Sequence, residues 1–202
     1  MRLYKQKTKR KALLKVIQLH KNEAKLIAAA KKGHRSSQRV LFDQHAPKML
    51  SVCRYYIRDV HYAEDVMLKA FLKVFGNLNK FRNEGSFEGW IRRIMVNECI
   101  SFLRQMKQVE FVTDDFSNYD EITLTADLKL DTQTIQQLID DLPEGYRIVF
   151  NMYALEGYKH HEIAKTLNIS EGTSKSQLHK ARKLLQEQLV KLNLTSNGTN
   201  KV

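Results

Sequence analysis

The 202-residue chain carries 34 Lys and Arg against 22 Asp and Glu, a formal charge of +12 that attracts polyanions without separating DNA from RNA or an anionic membrane. No apolar run approaches the roughly 20 residues that span a bilayer, and the basic N-terminus lacks an apolar core followed by a small-residue cleavage site. No membrane insertion is expected, and a bacterial-type cytoplasmic protein is the simplest reading.

Two prolines and eight glycines among many Leu, Ile, Lys and Glu residues predict an all-α chain. Residues 1–22 form a strongly basic N-terminal arm, with Leu13, Leu14 and Ile17 spaced for one side of a short, loosely held helix. A first helical domain is expected over 23–107, broken near Gly33, Pro47 and Asn83–Gly85. Cys53 and Cys99 within it stand far apart, with no Cys-x-x-Cys or His ligand spacing, so both read as reduced packing residues and no metal site is expected.

Over Ser86–Arg104, Phe87, Trp90, Ile91, Ile94, Met95, Cys99 and Phe102 recur at helical spacing as a core stripe. Arg93, Asn97, Ser101 and Arg104 line another face, with Arg92 beside them. Arginines there would hold a nucleic-acid backbone and the Asn97 amide would read a base. The preceding loop, from Lys80, Phe81 and Arg82 to Ser86, mixes aromatic, basic and small residues. It suits an extruded base held by stacking and hydrogen bonds. Phe81 and Phe87 stand evenly between stacking and core roles, whereas Trp90 reads mainly as core.

Residues 108–131 hold Glu110, Asp114, Asp115, Asp120, Glu121, Asp127 and Asp131 against a single cation, Lys129, and mark an acidic linker. A second small domain, 132–193, follows, with a tail at 194–202. Pro143 suits a first helical turn, and Ile148, Val149, Met152 and Leu155 would face a core. Glu156-Gly157-Tyr158 breaks that run. A short helix around Glu162–Leu167 ends at Asn168, a residue tolerant of the left-handed conformation, and Ser170 caps the next helix. That last helix places Leu178, Ala181, Leu185 and Leu189 on its apolar stripe. This is a helix-turn-helix pattern, in which Thr173, Lys175, Ser176 and His179 would reach base edges and Lys180, Arg182 and Lys183 would hold phosphates.

Enzymatic chemistry finds little support. The adjacent pairs Asp114-Asp115, Asp140-Asp141 and His160-His161 do not converge on one point, and neither a phosphate-binding glycine loop nor a nucleophile motif occurs. No cofactor is expected.

Together these segments resemble the extracytoplasmic-function sigma factors, promoter-recognition subunits of bacterial RNA polymerase. The resemblance rests on Ala63-Glu64-Asp65-Val66 with Phe71-Leu72-Lys73-Val74-Phe75, on Gly85-Ser86-Phe87-Glu88-Gly89-Trp90-Ile91-Arg92-Arg93-Ile94 with Asn97, and on Leu142-Pro143, Glu156-Gly157, Glu162-Ile163-Ala164, Ser170-Glu171-Gly172-Thr173, Lys175-Ser176 and Ala181-Arg182. It covers Glu23–Leu192 in the family's order. It implies a first domain binding core RNA polymerase and the downstream promoter element, a linker whose acidity suits the polymerase channel, and a second domain reading the upstream element. An anti-sigma factor is a further partner such proteins take. Asp65, on a helix expected over Tyr62–Leu78, matches a polymerase-contacting position, but Leu68 and Lys69 stand where the family usually has Gln-Glu, and Lys69 reverses a charge there. Lys159 likewise replaces a common capping Ser or Thr. The alternative reading is a helix-turn-helix regulator that does not replace a sigma subunit, and a more distant one is an RNA-binding adaptor.

Overall fold

The computed structural model of the protein describes residues 23–106 and 131–198. The basic arm and nearly all of the acidic linker lie outside the described residues. Among the described residues the secondary structure is helical, and no helix is long and apolar enough to cross a membrane.

Helix α1 covers residues 23–31 and stops at Gly33, whose φ of +84° lies in the left-handed region that glycine adopts without strain. Helix α2, Arg35–Tyr56, corrects one expectation, because it runs straight through Pro47. Proline there removes one helical hydrogen bond at a cost of about 3 kcal/mol. Pro47 itself is exposed, while Ala46, Met49, Val52, Cys53 and Tyr56 along the same helix are buried; that packing outweighs the lost bond.

Helix α3, Val60–Gly76, begins at Asp59, whose carboxylate accepts the N–H groups of His61 and Tyr62. Helix α4, Phe87–Gln105, begins at Ser86, whose hydroxyl accepts Gly89 N–H at 3.0 Å. Both caps satisfy first-turn donors that the helix leaves unpaired. Helices α2, α3 and α4 pack against one another in pairs.

The C-terminal part starts with α5, Thr132–Asp140, and α6, Glu144–Phe150, which runs on through a π-turn at Asn151–Leu155. Glu156 N–H closes that turn on the carbonyl of Asn151, five residues back. Helix α7, His160–Leu167, ends at Asn168 in the left-handed conformation (φ 58°, ψ 49°). Helix α8, Glu171–Gly198, follows after Ser170, whose hydroxyl accepts Thr173 N–H at 2.9 Å. Lys159 cannot accept at its own cap, yet α7 is not left open: Glu162 reaches back to Lys159 N–H at 2.9 Å, one half of a reciprocal cap.

The core is continuous across the two halves. Ile148, Val149, Met152, Ile163, Leu167 and Leu178 belong to the same buried cluster as Ile57, Ile91, Met95 and Leu103, while Leu138, Leu142, Ala181 and Leu185 make a smaller cluster between α5, α6 and α8. A polar seam accompanies it. Asn151 Nδ2 and Arg147 Nη2 donate at 2.7 Å to the carbonyls of Tyr55 and Tyr56, satisfying groups that the end of α2 leaves open. Arg54 forks onto the Asp140 carboxylate at 2.7 and 3.3 Å, and Arg58 donates to the Leu142 carbonyl at 2.9 Å.

Candidate nucleic-acid interface

Helix α4 turns Arg93, Asn97, Ser101 and Arg104 to the surface along one side, as the three- and four-residue spacing dictates. Their surroundings differ. Ser101 donates its hydroxyl to the Asn97 carbonyl at 2.8 Å, and Arg104 donates to the carbonyl of Thr166 in α7 at 2.6 Å. Arg92 is paired with the almost fully buried carboxylate of Glu156, and that pairing raises its pKa. Arg93 and Asn97 remain open to solvent.

Beside Arg93 lies a cavity of about 370 Å³ lined by Lys80, Phe81, Arg82, Gly85, Trp90 and Arg93 among others. Its loop is shaped by Asn83 at φ +60°, and Lys31 of α1 ties down its start by donating to the Phe81 carbonyl at 2.8 Å. The structure places Phe81 and Phe87 in the core, at 5% and 2% exposure, where their rings meet edge to face at 5.2 Å. As folded, neither presents an open face for a stacked base. Trp90 is only half-buried; it stacks on Phe87 at 5.9 Å and forms part of the cavity wall. The roles expected of these aromatics are thus redistributed: the two phenylalanines are the floor and Trp90 is the accessible ring.

On α8, Lys175 and Lys183 are exposed and His179, Lys180 and Arg182 half-buried. Thr173 and Ser176, expected to reach a base, are buried instead. Thr173 Oγ1 pairs with Ser170 Oγ at 2.8 Å and Ser176 donates to the Thr173 carbonyl at 3.0 Å, so both belong to the start of the helix. The Arg182 guanidinium lies 5.5 Å from the centre of the Tyr153 ring, and His160 stacks on the same ring at 4.8 Å while sharing a hydrogen bond with Ser174. Burial, with Lys175 and Arg182 nearby, pushes His160 below the ordinary imidazole pKa. This aromatic–cation stack fixes the angle between α7 and α8.

A third surface lies on α3. Asp65, Leu68 and Lys69 are exposed, opposite the buried Val66, Ala70 and Val74. Leu72 joins them at 74% exposure, with Leu68 at 49% one turn earlier. Leucines four residues apart outside the core stripe were the available signal for this apolar ridge, which sequence reasoning passed over. Glu156 and Arg147 were likewise missed, since neither spacing nor type marks a residue whose partner lies more than sixty positions away. Among the described residues no cluster of His, Cys, Asp or Glu could hold a metal ion, and both cysteines are free and buried.

Comparison with known families matches residues 41–108 to sigma-70 region 2 and residues 132–185 to sigma-70 region 4. The chain is 28% identical over 178 residues to the ECF RNA polymerase sigma factor SigW of Bacillus subtilis, covering 82% of this chain and 95% of that one. It is 27% identical over 180 residues to the ECF sigma factor SigM of Mycobacterium tuberculosis, covering 88% and 89%. In fold it is similar to the sigma factor RpoE of Bartonella quintana, solved with the anti-sigma factor NepR, at a TM-score of 0.50 and 21% identity over 75% of this chain and 95% of that one.

Proposed function

This chain belongs to the sigma-70 family, in its extracytoplasmic-function group, and from that membership we propose how its surfaces divide the work of starting transcription. The protein is a sigma factor: it joins core RNA polymerase, recognises promoter DNA and helps to melt it. Proteins of this kind act as initiation factors rather than as enzymes, and we extend that to this chain, with the cytoplasm as its place of action.

In the proposed division, residues 23–107 carry polymerase docking and the downstream element, 108–131 form the linker, and 132–193 read the upstream element, flanked by the 1–22 arm and the 194–202 tail. Polymerase meets α3 at Asp65, Leu68 and Lys69, with Leu72 extending the contact. Arg92, Arg93, Ser101 and Arg104 hold the downstream strand while Asn97 reads a base. An extruded base enters the cavity between Lys80, Arg82 and Trp90. Lys175 and His179 read the upstream duplex, and Lys180, Arg182 and Lys183 hold its phosphates. An anti-sigma factor is the remaining partner class in this reading.

The observation that carries the proposal is the pair of outward polar rows, Arg93–Asn97 on α4 and Lys175–His179 on α8, each on a helix whose opposite face is core. Run-off transcription with core polymerase, a promoter library and this protein alone tests it. Promoter-specific transcripts are expected. A regulator that does not replace a sigma subunit would give none until a complete holoenzyme is supplied.

A further inference from the structure

We infer that the uncomplexed protein shields its own downstream-element face, the C-terminal helices occupying arginines of α4 that the promoter strand requires. This rests on the reading of α4 proposed above.

Two of the four cationic positions on that face are already engaged. Arg92 is bonded to Glu156, at the end of the π-turn, and Arg104 to the Thr166 carbonyl near the end of α7. A phosphate oxygen would seek the same guanidinium protons. Glu156 adds a like-charge barrier, since its carboxylate is 3% exposed beside Arg92 and would face an incoming phosphate at close range. Strand binding and the closed arrangement therefore compete for the same donors.

The rest of the seam is built to part. Its bonds run largely from side chains to carbonyls at element ends: Asn151 and Arg147 to the end of α2, and Arg58 to Leu142. Water replaces such partners at modest net cost once the surfaces separate. Meanwhile the Tyr56 hydroxyl, Arg147 Nε, Asn151 Oδ1 and one Glu156 oxygen are buried at the seam without a hydrogen-bond partner among the described residues. Opening hydrates all four. The apolar part, led by Ile148, Val149 and Met152, favours closure, so the two states are held in opposition by different forces.

The test uses the full chain labelled with a fluorophore pair at two exposed positions, E64C and Q186C, compared with the same protein carrying Glu156→Gln and Asn151→Ala, helix content being checked by circular dichroism. The wild type should give one short distance and the double variant a longer one. Binding of a random single-stranded DNA 12-mer should strengthen in the variant, with the slope of log affinity against log salt steepening by about 0.7 for each arginine released. Binding of a random 20-base-pair duplex through α8 should not change. A wild-type distance already as long as the variant's overturns the closed state, and a variant that opens without tighter or steeper strand binding overturns the shielding. Absence of DNA binding by every form, with no transcription on adding core polymerase, would instead refute the promoter reading of α4.

Discussion

Helices α4 and α8 each carry a polar row opposite a core stripe, yet their rows are differently placed in the molecule. The cations of α8 face outward or lie on side chains of their own helix pair, as Arg182 does on Tyr153. Those of α4 are shared with the other half of the chain, through Glu156 and Thr166. Helical periodicity makes the two rows look equivalent, but only tertiary packing decides which row is offered to a partner and which is occupied at home.

The sharpest way to break the contrast is to remove the pin of the seam. Arg147 is 1% exposed and bridges the Tyr56 carbonyl, Glu144 and Asp140. Arg147→Ala strands those groups in a buried setting and should cost about 3–5 kcal/mol in urea unfolding. Arg147→Met, which keeps the volume, should fall between this and wild type. Equal stability of all three would mean that the halves are not coupled through this residue.

The next largest effects concern the rows themselves. Lys175→Ala should lose about 1–3 kcal/mol of preference at a single upstream base pair, seen as one flattened position in a promoter-library selection. Arg182→Ala should instead weaken binding to every duplex and reduce the salt slope by about 0.9. Identical profiles for the two variants would erase the division between reading and holding.

Smaller still is the cap of α8. Ser170→Ala removes the acceptor for Thr173 N–H and should cost about 1 kcal/mol in thermal unfolding. Lys159→Ala should cost almost nothing, because its cap bond is made by Glu162 to its backbone N–H.

The smallest expected effect is a pH dependence. His160 is held below its ordinary value near 6.5, so the unfolded chain takes up its proton first as the pH falls. Its contribution is complete above about 6.5 and lost on acidification below it. Melting temperatures of wild type and His160→Gln should therefore converge as the pH drops from 7.5 to 5.5. Parallel curves would show that this imidazole does not sense the medium.

The helices and their caps were legible in the sequence because they depend on neighbours: Asn168 entered the left-handed region, Ser170 capped α8, and Leu178, Ala181 and Leu185 turned inward as their spacing required. Pro47 was misleading because local propensity lost to the burial of Met49, Val52 and Tyr56. Exposed site residues such as Arg93, Asn97 and Lys175 followed from periodicity. Thr173 and Ser176 did not, since small hydroxyl residues on the boundary of a stripe satisfy themselves against nearby backbone as readily as they face solvent. The seam was invisible for a different reason: its bonds join residues whose adjacency exists only after both halves have folded.

The π-turn at Asn151–Leu155 sets the phase of everything that follows. Each residue advances a helix by about 100°, so one residue more or fewer in that turn would swing Glu156 by that angle around the axis, away from Arg92, without altering a single side chain. Sensitivity of this latch therefore lies in length as much as in identity. A one-residue deletion in the turn would disengage it more completely than most substitutions, and two chains alike in every contact-forming residue could differ in whether they hold themselves shut.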